Sequence, residues 1–99
     1  MEKLQAEITS FVTKRNWRKF HSPKNLAMAL TVETAELLEI FQWMTEQESS
    51  QPTREVLSHI EEEIGDVMIY LTTLADSLNL NPLDAARRKL RLNEEKYPA

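Results

Sequence analysis

Residues 26–44 read LAMALTVETAELLEIFQWM, and this stretch decides the fold. Leu26, Leu30, Glu33, Leu37, Ile40 and Met44 recur at steps of three or four, the spacing of one helical face, so an acid sits inside an apolar stripe. Residues 56–78, VLSHIEEEIGDVMIYLTTLADSL, repeat the arrangement. There Val56, Ile60, Glu63, Val67, Leu71, Leu74 and Leu78 share a face, and an acid again holds the middle position. Each acid opens a short motif, Glu33-Thr-Ala-Glu36 in the first helix and Glu63-Ile-Gly-Asp66 in the second.

A carboxylate at a core position is costly unless it is paired, protonated or bound to a cation. Spacing of i, i+3 brings two carboxylates to one side of a helix. If the two helices pack together, Glu33, Glu36, Glu63 and Asp66 converge. Two like charges about 6 Å apart repel by roughly 3 kcal/mol at an effective dielectric near 20, and a hard divalent cation removes that objection. Oxygen donors without cysteine or histidine in either motif favour Mg²⁺, with Mn²⁺ as the alternative, over zinc. Glu62 is a further carboxylate that can serve from the side, whereas helical phase turns Glu39 away from Glu33. A single Glu-x-x-Glu is ordinarily solvated surface; the case here rests on both motifs interrupting apolar stripes.

Working outward, residues 2–15 place Leu4, Ile8, Phe11 and Val12 on one face of an amphipathic first helix. Residues 16–21 interleave Trp17 and Phe20 with Arg15, Arg18 and Lys19. Ser22-Pro23 is a helix start, serine as N-cap and proline at the first position, which gives a second helix from Pro23 to Met44. The polar run from Thr45 to Gln51 precedes Pro52 and reads as the one substantial loop. A third helix spans Thr53 to Leu78, with Gly65 inside it. That glycine costs about 1 kcal/mol against alanine, which points to close packing or to access beside the acids. Asn81-Pro82 opens a fourth helix to Glu95, with Leu83, Ala86 and Leu90 inward and Arg87, Arg88, Lys89 and Arg91 outward. The fold expected is all-α, a four-helix bundle forming a single domain over residues 1–99, its burial completed by oligomerisation.

Composition sets the bounds. Hydrophobic residues make up 41% and charged residues 28%, which suits a folded domain and excludes disorder. A net charge of -4 argues against a nucleic-acid polymer as partner. The absence of cysteine removes disulfides and thiolate metal sites, and fits a reducing compartment. The segment Met1–Ser10 carries Glu2, Lys3 and Glu7 and does not read as a signal peptide, nor is any apolar run long enough to span a membrane; a cytoplasmic protein is expected.

Other side chains admit two readings. Neither His21 nor His59 follows a glutamate at the Glu-x-x-His spacing of di-iron bundles. His59 reads as exposed or as an ion-pair partner. His21 precedes a helix N-terminus, where backbone N–H groups favour phosphate, although a plain turn histidine would look the same. Trp17, Phe20 and Trp43 are either core aromatics or stacking surfaces for a base. Lys89, Asn93 and Lys96 fall on one face of the last helix, which is either solvated or receives phosphates.

With the two acid pairs separated by twenty-six residues, the sequence resembles the MazG-like all-α nucleoside triphosphate pyrophosphohydrolases, whose pattern is Glu-x-x-Glu followed by Glu-x-x-Asp. The closer likeness is to the dCTP pyrophosphatase branch. It is carried by Arg15-Asn-Trp-Arg-Lys-Phe-His21, Pro23-Lys-Asn-Leu26, the Phe-Gln-Trp ending at Trp43, Glu63 to Tyr70, and Lys89, Asn93 and Tyr97-Pro98. The resemblance implies cleavage of a nucleoside triphosphate to monophosphate and pyrophosphate, with magnesium at Glu33, Glu36, Glu63 and Asp66. It also implies nucleoside contacts at His21, Asn25 and Trp43, and phosphate or nucleotide contacts at Lys89, Asn93 and Tyr97, in a homodimer or homotetramer. Trp17 is added as a further substrate contact. Glu36, with Glu62 second, is the carboxylate expected to accept the proton from water. The competing expectations are a helical protein-binding module without catalysis and a nucleotide sensor.

Overall fold

The computed structural model describes residues 1–99 and contains no strand. Its helices are α1 (Glu2–Lys14), α2 (Pro23–Phe41), α3 (Glu46–Ser50), α4 (Arg54–Ser77) and α5 (Pro82–Lys96), with a 3₁₀ turn at Arg18–Phe20 between the first two. The stops and starts follow local chemistry. Asn16 and Asn79 take positive φ, 57° and 58°, the left-handed conformation asparagine tolerates after a helix. Ser22 Oγ accepts from the Asn25 N–H at 3.1 Å, Thr53 Oγ1 from Val56 at 3.3 Å, and Asn81 Oδ1 from Leu83 and Asp84 at 2.9 and 3.3 Å.

Three expectations are corrected. The second helix ends at Phe41, so Trp43 and Met44 lie in a turn beyond it. The stretch read as a loop holds α3. A capping box closes it: the Thr45 N–H donates to Glu48 Oε1 at 2.9 Å, and Glu48 N–H donates to Thr45 Oγ1 at 3.1 Å. Those bonds favour the ionised Glu48 carboxylate and lower its pKa. Third, Leu83 and Leu90 are not turned into a core within this chain, for both are exposed and α5 meets only α4 to any extent.

The principal packing is α2 along α4, with α1 laid across α4. The two long helices run antiparallel. Pro23 and Leu26 at the start of α2 share a cavity with Thr72 and Asp76 near the end of α4, while Ile40 and Met44 share a groove with Val56 and His59 near its start. Only seven residues are buried, among them Ile8, Val12, Leu26, Ile60 and Ala75. The radius of gyration is 16.2 Å against roughly 13 Å for a compact domain of this length. Val32, Leu38, Ile64, Met68, Leu78, Leu80 and Leu92 are left exposed.

A Cβ added at Gly65 would meet nothing within 4 Å, so no close packing inside the chain requires the glycine. Gly65→Ala is therefore expected to stabilise α4 by about 0.5–1 kcal/mol through helix propensity, a rise of several degrees in melting temperature. A fall in calorimetry would instead show that a second chain packs against this position.

Candidate metal centre

Helices α2 and α4 set Glu33, Glu36 and Glu63 face to face, with one carboxylate oxygen of each lying within 4.8 Å of the others. Glu63 is 9% exposed, Glu33 is half-buried and Glu36 is exposed. Asp66, one turn beyond Glu63, lies outside this triple but close enough for its charge to act on Glu33 and Glu63. Burial, and then the charges of Glu36 and Asp66, push the Glu33 carboxyl up to about 7. Glu63 is raised as well, by desolvation first and Glu36 second.

No lysine or arginine pairs with these acids. The ion pairs of the chain are His59 Nε2 with Glu63 Oε1 at 3.7 Å and Arg87 with Asp84 at 3.6 Å. The second carboxylate oxygens of Glu33 and Glu63 are buried and accept no hydrogen bond. Orphaned, crowded carboxylate oxygens are the donor set a hard divalent cation requires, so the residues fit such an ion. His59, itself exposed and 3.7 Å from Glu63, is the one basic side chain beside them and leaves Glu33 and Glu36 unpaired.

A sign follows for the metal-free protein. Glu33 holds a proton in the folded state at pH values where an unfolded glutamate has released it. Its contribution is thus present below about pH 4.5 and lost as the pH rises through about 7. The melting temperature in chelator is expected to decline from pH 5 to pH 7. A flat profile would mean that Glu33 is not held protonated.

Beside the triple lies a groove of about 410 Å³ lined by Glu36, Glu39, Ile40, Val56, His59 and Glu63. Glu39, expected to turn away, borders it while remaining exposed. His59 is both exposed and an ion-pair partner, as its i, i+4 spacing from Glu63 allows. Glu62 is exposed and stands apart from the three-carboxylate cluster.

The other expected site residues are dispersed. His21 lines a cavity of about 370 Å³ between α1, the 3₁₀ turn and α4, and its Nδ1 is buried without a partner. Asn25 is engaged locally, its amide donating to the Phe20 carbonyl at 3.1 Å. Trp17 packs edge-on against Phe11, ring centroids 5.5 Å apart. Trp43 is 88% exposed at the far end of α2, roughly 30 Å from His21 by helical rise, so one nucleoside cannot touch both within one chain. Lys89, Asn93 and Tyr97 lie on or just after α5, away from the acids' groove.

An all-α chain with a carboxylate centre built across two antiparallel helices is the class that fold and site define. The chain belongs to the MazG-like family, whose model matches residues 28–99. It is 37% identical over 101 residues to dCTP pyrophosphatase 1 of Homo sapiens and 37% identical over 101 residues to that of Mus musculus. These matches take in 100% and 99% of this chain but only 59% of either relative's length. A crystal structure of a pyrophosphatase from Archaeoglobus fulgidus superposes with a TM-score of 0.86 at 46% identity, covering 100% of this chain and 93% of that one. No helix of the chain is long and apolar enough to cross a membrane.

Proposed function

We propose that the chain is a Mg²⁺-dependent nucleoside triphosphate pyrophosphohydrolase, converting a (deoxy)nucleoside triphosphate and water to the monophosphate and pyrophosphate. The observation that carries this is the triple of converging carboxylates with two buried, unpartnered oxygens and no lysine or arginine to pair them. Preference for dCTP is supported by the names of the relatives; a modified dCTP as substrate, and a role in removing unwanted nucleotides from the pool, belong to the same proposal.

Glu33, Glu36 and Glu63, with Asp66 from the side, would hold Mg²⁺. When bound, the ion offsets the triphosphate's charge and lowers the pKa of the attacking water. Glu36, the exposed member of the triple, is placed to accept the proton from that water, with Glu62 as second choice. Burial on α4 fixes Glu63 in orientation, so it holds rather than shuttles. Lys89, Asn93 and Tyr97 would meet phosphates or nucleotide from α5, and Trp43 the nucleoside, in a site shared between copies of the chain. The exposed apolar faces of α2, α4 and α5 support a homodimer or homotetramer. The cavity that His21 lines would take the nucleoside's base within one chain, a reading its volume of about 370 Å³ supports. We place the protein in the cytoplasm, acting on free nucleotides rather than on a polymer.

The test is product analysis by ion-exchange chromatography after incubation with a panel of triphosphates, dCTP first, with and without Mg²⁺. Monophosphate and pyrophosphate, formed only with the metal, are expected. Diphosphate and phosphate would mean cleavage at the wrong bond. No product from any nucleotide would leave a binding protein.

A further inference from the structure

The two acid-bearing helices are nearly free of cations. Between Lys24 and Arg87 the sequence holds only two basic residues, Arg54 at the start of α4 and His59 just beyond its first turn. A lysine or arginine at position 59 would bring a permanent positive charge to a centre suited to receive a cation. Histidine offers an N–H without a permanent charge. The carboxylates account for the centre by themselves, so His59 has no role in the reaction as described so far.

Its choice of partner supplies one. Glu55, Glu62 and Glu63 stand four residues before, three after and four after His59 on α4, all at spacings that bring side chains together. Glu55 and Glu62 are exposed, and a contact to either would be a solvated surface pair of little consequence. His59 faces the third. Its Nε2 lies 3.7 Å from Glu63 Oε1, in the groove that both residues share with Glu36 and Glu39. The contact thus falls on the most buried carboxylate of the centre.

Burial alone does not orient that carboxylate. Packing holds the stem of Glu63, but the last torsion of a glutamate is broad and roughly two-fold, so neither oxygen is preferred at any place. A donor at Oε1 breaks this symmetry. It leaves Oε2, which is buried and accepts no hydrogen bond, as the uncommitted oxygen. A small rotation of the imidazole closes the 3.7 Å separation to a hydrogen bond of about 2.9 Å. Carboxylates that ligate metals are ordinarily held by such a partner from outside the ligand set.

We infer that His59 is a positioning residue of this centre: it donates to Glu63 Oε1 and so presents Oε2 to the metal ion, itself touching neither metal nor substrate. This inference rests on the metal-dependent reading above and adds the residue that orients its buried ligand.

The test uses the full chain as wild type, His59→Ala and His59→Gln. Mn²⁺ binding without nucleotide is followed by electron paramagnetic resonance, metal-free melting by calorimetry, and dCTP turnover across a range of Mg²⁺ concentrations. His59→Ala weakens Mn²⁺ binding about 10–100-fold and raises the Mg²⁺ needed for half-maximal rate by a similar factor. Its kcat at saturating Mg²⁺ stays near that of wild type. His59→Gln, whose amide N–H stands in for the imidazole N–H, restores most of the affinity. The metal-free melting temperature falls in neither variant, because alanine and glutamine are better helix formers than histidine. The pulsed spectrum of bound Mn²⁺ in wild type shows no directly coordinated nitrogen.

Tighter Mn²⁺ binding in His59→Ala would mean a cationic imidazole that repels the ion, and coordinated nitrogen would make His59 a ligand; either result overturns the inference. So does unchanged affinity in His59→Ala, equal loss in both variants, a lower metal-free melting temperature, or no Mn²⁺ binding by wild type. If wild type cleaves no triphosphate yet binds Mn²⁺ in a His59-dependent way, the reaction reading fails and this one stands. If Mg²⁺-dependent cleavage is found and both variants match wild type in metal affinity, the reverse holds.

Discussion

Glu63→Gln is expected to abolish pyrophosphate release and, at the same time, to raise the melting temperature of the metal-free protein. Glutamine matches glutamate in size, so the helix and its packing persist. What disappears is a buried charge facing two like charges, with an unpartnered oxygen and burial already working against ionisation. Replacing residues that merely support a metal ligand costs about 10–100-fold in affinity or activity, and loss of a direct ligand should exceed that. Addition of Mg²⁺ should reverse the order of stabilities. Wild type gains because the ion binds only the folded state, whereas Glu63→Gln gains little. Asp66→Asn should lose turnover likewise, with a smaller stability change, since Asp66 is exposed and outside the triple. Full activity in either variant would remove the proposed centre. A lower metal-free melting temperature in Glu63→Gln would mean that the carboxylate has a structural partner, for which His59 is the only neighbour of suitable charge.

The acids were legible because they broke a pattern. An apolar stripe with one glutamate in its middle already states that the carboxylate will be taken out of water, and Glu33 and Glu63 are indeed drawn inward while Glu36 is not. The start of each long helix was equally readable, since Ser22, Thr53 and Asn81 cap through side-chain oxygens that the residue type supplies. Helix α3 was readable too, in Thr45-Glu-Gln-Glu48, but a polar composition outweighed a two-bond capping box. Leu83 and Leu90 failed for a different reason. Periodicity reports which face of a helix is apolar and is silent on whether the chain itself covers that face, and Leu90 remains 61% exposed. Nothing in a sequence could reveal that the Thr72 hydroxyl is buried without a hydrogen-bond partner. A threonine within a helix is unremarkable until the structure shows its neighbour Thr73 bonded to the backbone and Thr72 not. Likewise, the separation of His21 from Trp43 comes from their standing just beyond opposite ends of α2, which no motif order conveys.

Leu26→Ala is expected to cause the largest loss of stability of any single substitution in the chain. Leu26 is 1% exposed and is, with Thr72, one of the two largest fully buried side chains in a core of seven buried residues. Truncating a buried leucine costs about 2–5 kcal/mol, through lost transfer free energy and the void left behind. Here the void would merge with the cavity that Leu26 already lines, so the surroundings have little to collapse upon. Against a total of about 5–15 kcal/mol for an ordinary domain, such a loss consumes much of the margin, and the melting temperature should fall by on the order of 10–20 °C. Seven residues before Glu33 on the same face of α2, Leu26 contributes nothing to the acids' chemistry, yet their alignment across α2 and α4 depends on the packing it provides. Leu38→Ala is the informative control. Leu38 is exposed within one chain, so its truncation should cost no more than about 0.5 kcal/mol if the chain stands alone. A fall comparable with that of Leu26→Ala, together with a change in mass by light scattering, would show that Leu38 is buried against a second copy, and that the helical faces left open here are closed by assembly. A small effect from Leu26→Ala would mean that the α2–α4 packing described here is not what holds the fold.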